Sequence, residues 1–296
     1  MLLRLIRFVG KLIGGLVLVV LGLIALAVVV VAVRYWTWTP DPMADYYGER
    51  KVLIQGHRGA PEAAPENTLP SFSKALELGA HCVELDVMLS KDGELVVIHN
   101  YKLDATTNGS GPVKNYTLAE LKQLDAGSWF GDEFAGTTIP TLQEVIDHLP
   151  STALLNIEIK SESISTDGVE QAVVDAIVEN NLLGRVMVSS FNPISLLRVK
   201  WADKRIPVGL IYAPDLPVFL RDAWFFPILL PEALHPRFDM VDEAYMAKAR
   251  KKGYRVNAWT VNEAADMKHL LDLGVDGIIT DRPDLLLQIL QERGLE

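Results

Sequence analysis

The sequence is poor in thiols. Of its 296 residues a single one, Cys82, is a cysteine, which excludes an intrachain disulfide framework and a zinc cluster built on thiolates. Cys82 lies in the apolar run HCVELDVML, where a buried core thiol is the favoured interpretation. Cysteine usage therefore leaves the redox compartment of the protein undetermined.

Basic residues are scarce beyond the N-terminal segment. Residues 1–34 contain four basic and no acidic residues, which leaves 24 Lys and Arg against 38 Asp and Glu, a formal charge of −14, for the rest of the chain. Such a charge argues against a nucleic-acid partner. It does not attract a phosphorylated substrate either, so any phosphate chemistry needs local cations or a metal.

The sequence also lacks a charged residue anywhere from Leu12 to Val33, a run of 22 residues. At about 1.5 Å of rise per residue, a helix of this length crosses a hydrocarbon core of about 30 Å. Cleaved signal peptides have a shorter apolar region, of about 7 to 15 residues. We therefore predict an uncleaved transmembrane anchor over residues 1–34, followed by a linker over residues 35–51.

Charges at the two ends of this run predict its orientation in the membrane. Three basic residues precede the run and one closely follows it, so the positive-inside rule keeps the N-terminus in the cytoplasm. Tyr35, Trp36 and Trp38 fit an aromatic belt at the far interface. The rest of the chain then lies on the outer side of the membrane, which is periplasmic, extracellular or lumenal.

Beyond the linker, short β-branched runs alternate with amphipathic helical patterns, which indicates a parallel sheet of βα units. Strand-like segments begin at Val52, Cys82, Glu94, Ala153, Arg185, Pro207, Tyr254 and Gly277. About eight such units over residues 52–296 favour an α/β fold of the TIM (β/α)8 barrel type, and no GxGxxG follows the first strand. Residues 100–138 fit the alternation poorly, and we interpret them as an insertion in an early βα loop.

Two predicted strands carry charged residues among apolar ones. Glu84 and Asp86 are two residues apart in VELDV, as are Glu158 and Lys160 in NIEIK, so each pair points to one face of its strand. Buried carboxylates repel one another and cost on the order of several kcal/mol of desolvation. A divalent cation, Mg²⁺ or Ca²⁺, removes that conflict through oxygen ligands. The alternative is a salt-bridge network in which Lys160 neutralises a carboxylate.

Two histidines, His57 and His99, stand where predicted strands end, which is where TIM barrels place their chemistry. A pair of imidazoles can act as general base and general acid. Arg58, beside the first of them, offers a bidentate clamp for phosphate. Three other histidines, which we interpret as structural, are His81, His148 and His269.

The order of motifs along the chain resembles that of the glycerophosphodiester phosphodiesterase family. HRG, PENT, ELDV, a strand that ends in His, EIK, NAWTVN and GIITDRP follow one another over residues 52–290. A chain of spaced motifs is far more specific than any one of them. The resemblance implies a TIM barrel with a small insertion after the second strand.

The same resemblance implies roles for the site residues. The divalent cation would be held by Glu84, Asp86 and Glu158. The acid–base pair would be His57 and His99, and the phosphate would be contacted by Arg58 and Lys160. The expected reaction is metal-dependent hydrolysis of a glycerophosphodiester to an alcohol and glycerol 3-phosphate, with water or the glycerol 2-hydroxyl as nucleophile. Which histidine is the acid and which the base stays open.

Other motif residues admit two interpretations each. Glu66 and Asn67 of PENT either orient the metal site or, in the case of Asn67 together with Thr68, cap the following helix. Trp259 of NAWTVN either forms an aromatic wall for the alcohol group of the substrate or packs the barrel mouth. Asp281 of GIITDRP can face the site, but we expect it to cap a helix.

One segment departs from a soluble enzyme of this family. Residues 216–236, LPVFLRDAWFFPILLPEALHP, are rich in bulky apolar side chains but too broken by charges and prolines to span a bilayer. We expect a βα loop or short helices near the barrel mouth. Contact of this loop with lipid would suggest an acylated substrate such as a lysophospholipid. The alternative is a helix packed on the barrel.

Two other classes of function are compatible with these residues. A lipid phosphodiesterase of the lysophospholipase D, phospholipase C or sphingomyelinase D type shares the histidines and carboxylates but differs in its substrate or in the bond that it cuts. A membrane-anchored binding protein without activity is the non-enzyme alternative. The sequence disfavours it because none of the expected donor residues has been replaced by an inert one.

Overall fold

The computed structural model describes residues 1–161, 163–222 and 224–295. Within them, nine strands form one sheet, and eight of these close into a parallel barrel because β1 pairs with both β2 and β9. The strands are β1 (Leu53–Gly56), β2 (Cys82–Leu89), β3 (Leu95–Val97), β4 (Leu154–Ile159), β5 (Val186–Ser190), β6 (Val208–Tyr212), β7 (Ala233–Pro236), β8 (Arg255–Ala258) and β9 (Gly277–Thr280). The predicted TIM barrel is thus confirmed.

Helices cover the outside of the barrel and connect its strands. They are α1 (Leu2–Thr37), α2 (Ala44–Tyr47), α3 (Leu69–Glu77), α4 (Leu118–Leu121), α5 (Leu142–His148), α6 (Val169–Glu179), α7 (Pro193–Ala202), α8 (Val218–Arg221), α9 (Phe226–Leu229), α10 (Glu243–Lys252), α11 (Ala264–Leu273) and α12 (Pro283–Arg293). Local sequence sets several ends: Thr141 forms a capping box with Glu144 at the start of α5. Gly253 and Gly274 end α10 and α11 with φ of 89° and 72°.

A plug from the predicted linker closes the amino-terminal end of the barrel. Tyr46 and Tyr47 of α2 are buried there among residues of the strand starts, including Cys82. The Tyr46 hydroxyl lies 3.2 Å from the carbonyl oxygen of Leu155 and 3.1 Å from Cys82 Sγ. The predicted burial of Cys82 is correct, and the opposite, carboxyl end of the barrel is left open for the site.

The segment between β2 and α5 is larger than the predicted insertion at 100–138. It begins with β3, which pairs antiparallel to the end of β2 through Val87 and Val97 and is not a barrel strand. The segment has a small apolar core of its own. The amide of Ile98 donates to the carbonyl of Asp86 over 3.0 Å, so the hairpin turns His99 back towards the barrel mouth.

The expectation for residues 216–236 is only partly right. The segment does contain short helices, α8 and α9, but it also includes β7, a barrel strand that the sequence analysis missed. The part of the segment before β7 runs from the mouth, where β6 ends, to the opposite end of the barrel. There the amide of Glu232 donates to the carbonyl of Val208 over 3.1 Å. β7 was missed because ALHP is four residues long and has no β-branched side chain.

The N-terminal helix α1 carries the predicted apolar run. It is the one helix of the described residues that is long and apolar enough to cross a membrane, over Arg7–Thr37. Its C-terminal end packs against α9 and is fixed by Lys252, whose Nζ donates to the carbonyls of Tyr35 and Trp38. The anchor candidate therefore joins the barrel at a defined place.

The plug at Tyr46 generates a stability prediction. Tyr46→Ala removes a buried ring and should lower the free energy of unfolding by about 3–5 kcal/mol, whereas Tyr46→Phe removes only the hydroxyl and its contacts with Leu155 and Cys82 and should cost about 1–2 kcal/mol. Urea unfolding of the full chain in detergent, followed by tryptophan fluorescence, measures both. Equal losses for the two variants would show that the ring does not fill the barrel end.

Candidate active site

A cavity of about 130 Å³ opens at the carboxyl ends of the barrel strands. Its lining residues come from most of the barrel strands and from the insertion: His57, Arg58, Glu84, His99, Asn156, Glu158, Ser189, Phe191, Ile211, His235, Trp259 and Ile279. The fold thus brings both predicted histidines together with predicted carboxylates, Arg58 and Trp259. Four other members of the predicted site lie behind the cavity wall: Asp86 and Lys160 adjoin Glu158, and Glu66 and Asn67 contact Arg58 and Asp86.

Glu84, Asp86 and Glu158 form a compact buried cluster. Each offers one carboxylate oxygen, and these oxygens all lie within 4.8 Å of one another. The register of the sheet places Asp86 directly beside Glu158 on the neighbouring strand β4. The alternation of side chains along β2 then puts Glu84 on the same inward face as Asp86. The spacing read from VELDV and NIEIK therefore predicts the geometry correctly.

The crowding of these groups shifts their pKa values. Burial and then the charge of Asp86 raise the pKa of Glu84 to about 8, and the same two causes raise the pKa of Glu158. Burial opposes ionisation of Asp86 as well, but Lys160, His99 and Arg58 outweigh it and lower the pKa of Asp86. The surroundings therefore favour the ionised form of Asp86 and disfavour the ionised forms of Glu84 and Glu158.

Two basic side chains partly neutralise the cluster. Lys160 Nζ lies 2.9 Å from Glu158 Oε1 and 3.5 Å from Asp86 Oδ1. Arg58 pairs with Glu66 at 3.1 Å, and its buried Nε lies 3.5 Å from Asp86 without a hydrogen bond among the described residues. The salt bridge of Lys160 that the alternative interpretation requires thus exists, but two basic side chains face four carboxyl groups. The crowding that raises the pKa of Glu84 and Glu158 fits a divalent cation bound by oxygen donors.

The PENT loop supports the cluster from the side. Asn67 Nδ2 donates to Asp86 Oδ2 over 2.8 Å, and the amide of Asp86 donates to Asn67 Oδ1 over 3.2 Å. Thr68, not Asn67, caps α3. Arg58 and Asn67 both adopt left-handed backbone, with φ of 49° and 56°, a strained conformation that is typical of functional sites. The Asn67 side chain therefore binds the Asp86 carboxylate and does not cap α3.

His57 is paired with Asp281, which the sequence analysis expected to cap a helix. That expectation is wrong, because Arg282 is the N-cap residue of α12 and the Asp281 carboxylate lies 2.7 Å from His57 Nδ1. Asn262 donates to the other carboxylate oxygen and accepts from the Asp281 amide. Pairing of β9 with β1 brings Asp281 and His57 together, and only the closure of the barrel creates this neighbourhood.

The two histidines have different electrostatic surroundings. Burial lowers the pKa of His57, but the hydrogen bond to Asp281 and the charge of Glu84 outweigh it, so the pKa is raised above its ordinary value. Burial lowers the pKa of His99, and the charge of Asp86 offsets this only in part. His99 Nδ1 contacts Asn100 Oδ1 at 2.9 Å. Such a separation of two pKa values is characteristic of acid–base pairs.

Aromatic side chains line the wall of the cavity. The Trp259 ring packs edge-on against Phe191 with 5.3 Å between ring centroids, and its Nε1 donates to the carbonyl of His235 over 2.8 Å. Trp259 therefore both packs the mouth and faces the cavity, so the two interpretations of it are compatible. Phe191 and His235 also line the cavity and were not among the predicted site residues. No signal marks His235, which lies in the short apolar strand β7.

Two of the three histidines predicted to be structural make contacts away from the cavity. His81 Nδ1 accepts from the amide of Ile54 over 3.1 Å. His148 Nε2 lies 2.6 Å from Ser73 Oγ, and His269 is exposed on α11. His81, His148 and His269 do not line the cavity.

Comparison with known proteins agrees with this geometry. Residues 57–285 match the model of the glycerophosphoryl diester phosphodiesterase family. A glycerophosphodiester phosphodiesterase of Caldanaerobacter subterraneus subsp. tengcongensis is 42% identical over 246 residues, which cover 82% of this chain and 100% of the relative. One from Bacillus subtilis is 34% identical over 254 residues, covering 81% of this chain and 86% of the relative.

Solved structures of phosphodiesterases are also similar to this chain. A phosphodiesterase from Oleispira antarctica, solved in complex with the product sn-glycerol-3-phosphate, is 34% identical with a TM-score of 0.71 and covers 81% of this chain and 96% of its own. A glycerophosphodiester phosphodiesterase from Agrobacterium tumefaciens is 29% identical with a TM-score of 0.71, covering 80% and 99%.

The His57–Asp281 contact generates a prediction that needs no substrate. Asp281→Asn removes the carboxylate charge and should lower the pKa of His57, which NMR titration of the imidazole resonances measures. Because the pKa of His57 is raised in the folded state, the contact should stabilise the fold fully below the unfolded value of about 6.5 and lose this contribution as pH rises through the folded pKa. The resonance of His148 is the control, and an unchanged His57 titration would contradict the pairing.

Proposed function

Because the chain belongs to the glycerophosphodiester phosphodiesterase family, we propose that it hydrolyses glycerophosphodiesters to an alcohol and glycerol 3-phosphate. The observation that carries the proposal is the cavity that joins both histidines to the buried carboxylate cluster. The Oleispira antarctica structure, solved with its product sn-glycerol-3-phosphate, supports the same substrate class for this chain.

A divalent cation, Mg²⁺ or Ca²⁺, would be held by Glu84, Asp86 and Glu158. The fit rests on the close approach of three buried carboxyl groups and on the raised pKa of Glu84, which a cation would lower. When bound, the cation supplies Lewis-acid neutralisation of phosphoryl oxygen. Asn67 keeps Asp86 in place for this role through two hydrogen bonds.

His57 and His99 would move the protons. Either water attacks phosphorus directly, or the glycerol 2-hydroxyl attacks it to give a cyclic phosphate that water then opens to glycerol 3-phosphate; in both routes the bond from phosphorus to the alcohol oxygen breaks. One imidazole takes the proton of the nucleophile and the other gives a proton to the departing alkoxide. Asp281 accepts from His57 Nδ1, which leaves Nε2 as the atom that faces the reacting group.

The phosphate and the alcohol would contact other residues of the cavity. Arg58 and Lys160 are the basic side chains beside the carboxylates, and both are placed to neutralise phosphoryl oxygens that the carboxylates would otherwise repel. Glu66 orients the Arg58 guanidinium. Trp259, with Phe191, offers an aromatic wall for the glycerol or alcohol group.

The chain would be organised as an anchor over residues 1–34, a linker over 35–51 and a catalytic barrel over 52–296. The apolar run of α1 supports the anchor. The basic residues before the run support a cytoplasmic N-terminus with the barrel on the outer side of the membrane. The substrate would then be an extracytoplasmic glycerophosphodiester.

A lysophospholipid is the second candidate substrate. The apolar side chains of α8 and α9, among them the exposed Val218 and Ile228, favour a protein surface that meets acyl chains. Lysophospholipase D and phospholipase C types of cleavage differ in their products, since choline leaves in the first and phosphocholine in the second. Product analysis therefore separates all of these reactions.

The test uses the full chain in detergent with glycerophosphocholine and, separately, lysophosphatidylcholine, in Mg²⁺, Ca²⁺ or EDTA. We expect choline and glycerol 3-phosphate from the first substrate, and loss of turnover in EDTA. His57→Ala and His99→Ala should each lower kcat by about 10²–10⁴-fold. His148→Ala, which alters a histidine that contacts Ser73 outside the cavity, is the matched control and should leave kcat unchanged.

The outcomes separate the alternatives. Preference for lysophosphatidylcholine would replace the first substrate by the second, and phosphocholine as product would mean phospholipase C chemistry. No turnover of either substrate by folded, metal-loaded protein would contradict the proposal and favour the binding-protein alternative. Full activity in EDTA would overturn the role of the cation.

A further inference from the structure

Exposed bulky apolar side chains gather where α1 meets the barrel. The exposed fraction is 81% for Trp36, 76% for Trp201, 63% for Trp224 and 45% for Ile228. We call these four residues the apolar face. Tryptophan is rarely so exposed on a soluble surface, and contiguous apolar patches mark interaction sites.

The helices that carry this face touch one another. α9, which contains Ile228, packs against both α1 and α7, and Trp36 and Trp201 lie in the last turns of those two helices. Trp224 lies two residues before α9, and its amide donates to the carbonyl of Phe219 in α8 over 3.1 Å. The face is therefore one region on the β6–β7 side of the barrel.

The position along α1 at which α9 packs indicates what covers the apolar face. Within the described side chains of α1, those that are half-buried are Val31, Ala32 and Tyr35, which mark the place where α9 packs. Val31 and Ala32 belong to the uncharged run Leu12–Val33, which has the length of a hydrocarbon core of about 30 Å. A bilayer that contains this run must reach the level of α9.

Several contacts fix the end of α1 against the barrel. Lys252 Nζ donates to the carbonyls of Tyr35 and Trp38 and lies 4.6 Å from the centroid of the Tyr35 ring. The Trp38 ring packs on Tyr254, and Tyr254 packs on Phe226 of α9. The barrel therefore cannot swing freely about the end of α1.

Charge and residue type at the face match a lipid surface. Tryptophan prefers the interface between hydrocarbon and headgroups. Arg34 follows the apolar run, and the exposed Lys251 lies in the last turn of α10 beside Lys252. These basic residues lie near the apolar face of a barrel that is strongly acidic as a whole. They suit the anionic headgroups of a bilayer.

We propose that the apolar face lies in the interface of the bilayer that α1 spans, so that the barrel docks sideways through its β6–β7 side. The inference rests on the proposed membrane anchor but not on the chemistry of the cavity. It differs from the expectation of a lipid-binding loop at the mouth, because the docking region extends from α8 towards the end of the barrel opposite the cavity. Docking would fix the height and direction of the mouth above the membrane.

The test places single cysteines in the full chain, since Cys82 is buried and does not compete for label. Trp201→Cys and Trp224→Cys each receive a bimane fluorophore, and the protein is reconstituted in nanodiscs that contain doxyl-labelled phosphatidylcholine. Trp129→Cys is the matched control, because Trp129 is also exposed but belongs to the insertion after β2, across the barrel from β7. Val19→Cys reports on the anchor itself.

We expect quenching at positions 201 and 224 that exceeds quenching at 129 by about twofold or more, as for groups at the interface. Quenching at position 19 but not at positions 201 or 224 would contradict the docking of the barrel and would still support the membrane anchor. No quenching at 19 would overturn both. Energy transfer between labelled copies without lipid quenching would show that a second copy covers the face, which also contradicts the proposal. An unchanged circular dichroism spectrum and an unchanged urea unfolding midpoint confirm that each variant is folded, whether or not the proposed activity is correct.

Discussion

The crowding of three carboxylates at one end of a closed barrel is the constraint on which the site depends. Glu84, Asp86 and Glu158 are buried and their oxygens lie within 4.8 Å of one another, although the interior of a protein disfavours even one unpaired charge. The register of β2 against β4 brings them together. Arg58 and Lys160 offset part of the charge, and the oxygen donors of the cluster suit a divalent cation.

Much of the surrounding structure serves to hold that arrangement. The left-handed backbone at Arg58 and Asn67 allows the PENT loop to reach Asp86, and the β2–β3 hairpin returns His99 to the same edge. At the other end, the tyrosine plug of α2 fills the barrel, and the Tyr47 hydroxyl pairs with Asn257. The barrel is thus closed at one end and carries the charged groups at the other, and α1 lies outside it.

The sequence was sufficient for the barrel and for the carboxylates, because alternation of strands and helices and the two-residue spacing of VELDV and NIEIK are local patterns. It was insufficient wherever a neighbour is created by closure of the barrel. Asp281 follows β9 and His57 follows β1, and 224 residues separate them in the chain. β7 and His235 gave no strand signal because ALHP has no β-branched side chain, and β3 gave a strand signal although it lies outside the barrel.

The most direct measurement on the central claim is anomalous diffraction from crystals of the full chain soaked in Mn²⁺, which takes the oxygen ligands of Mg²⁺ and Ca²⁺ sites. The account predicts one anomalous peak among the oxygens of Glu84, Asp86 and Glu158, at about 2.0–2.6 Å from each ligand oxygen. No peak there, with Lys160 still paired to Glu158 and Asp86, would contradict it and would mean that the salt bridges alone stabilise the cluster.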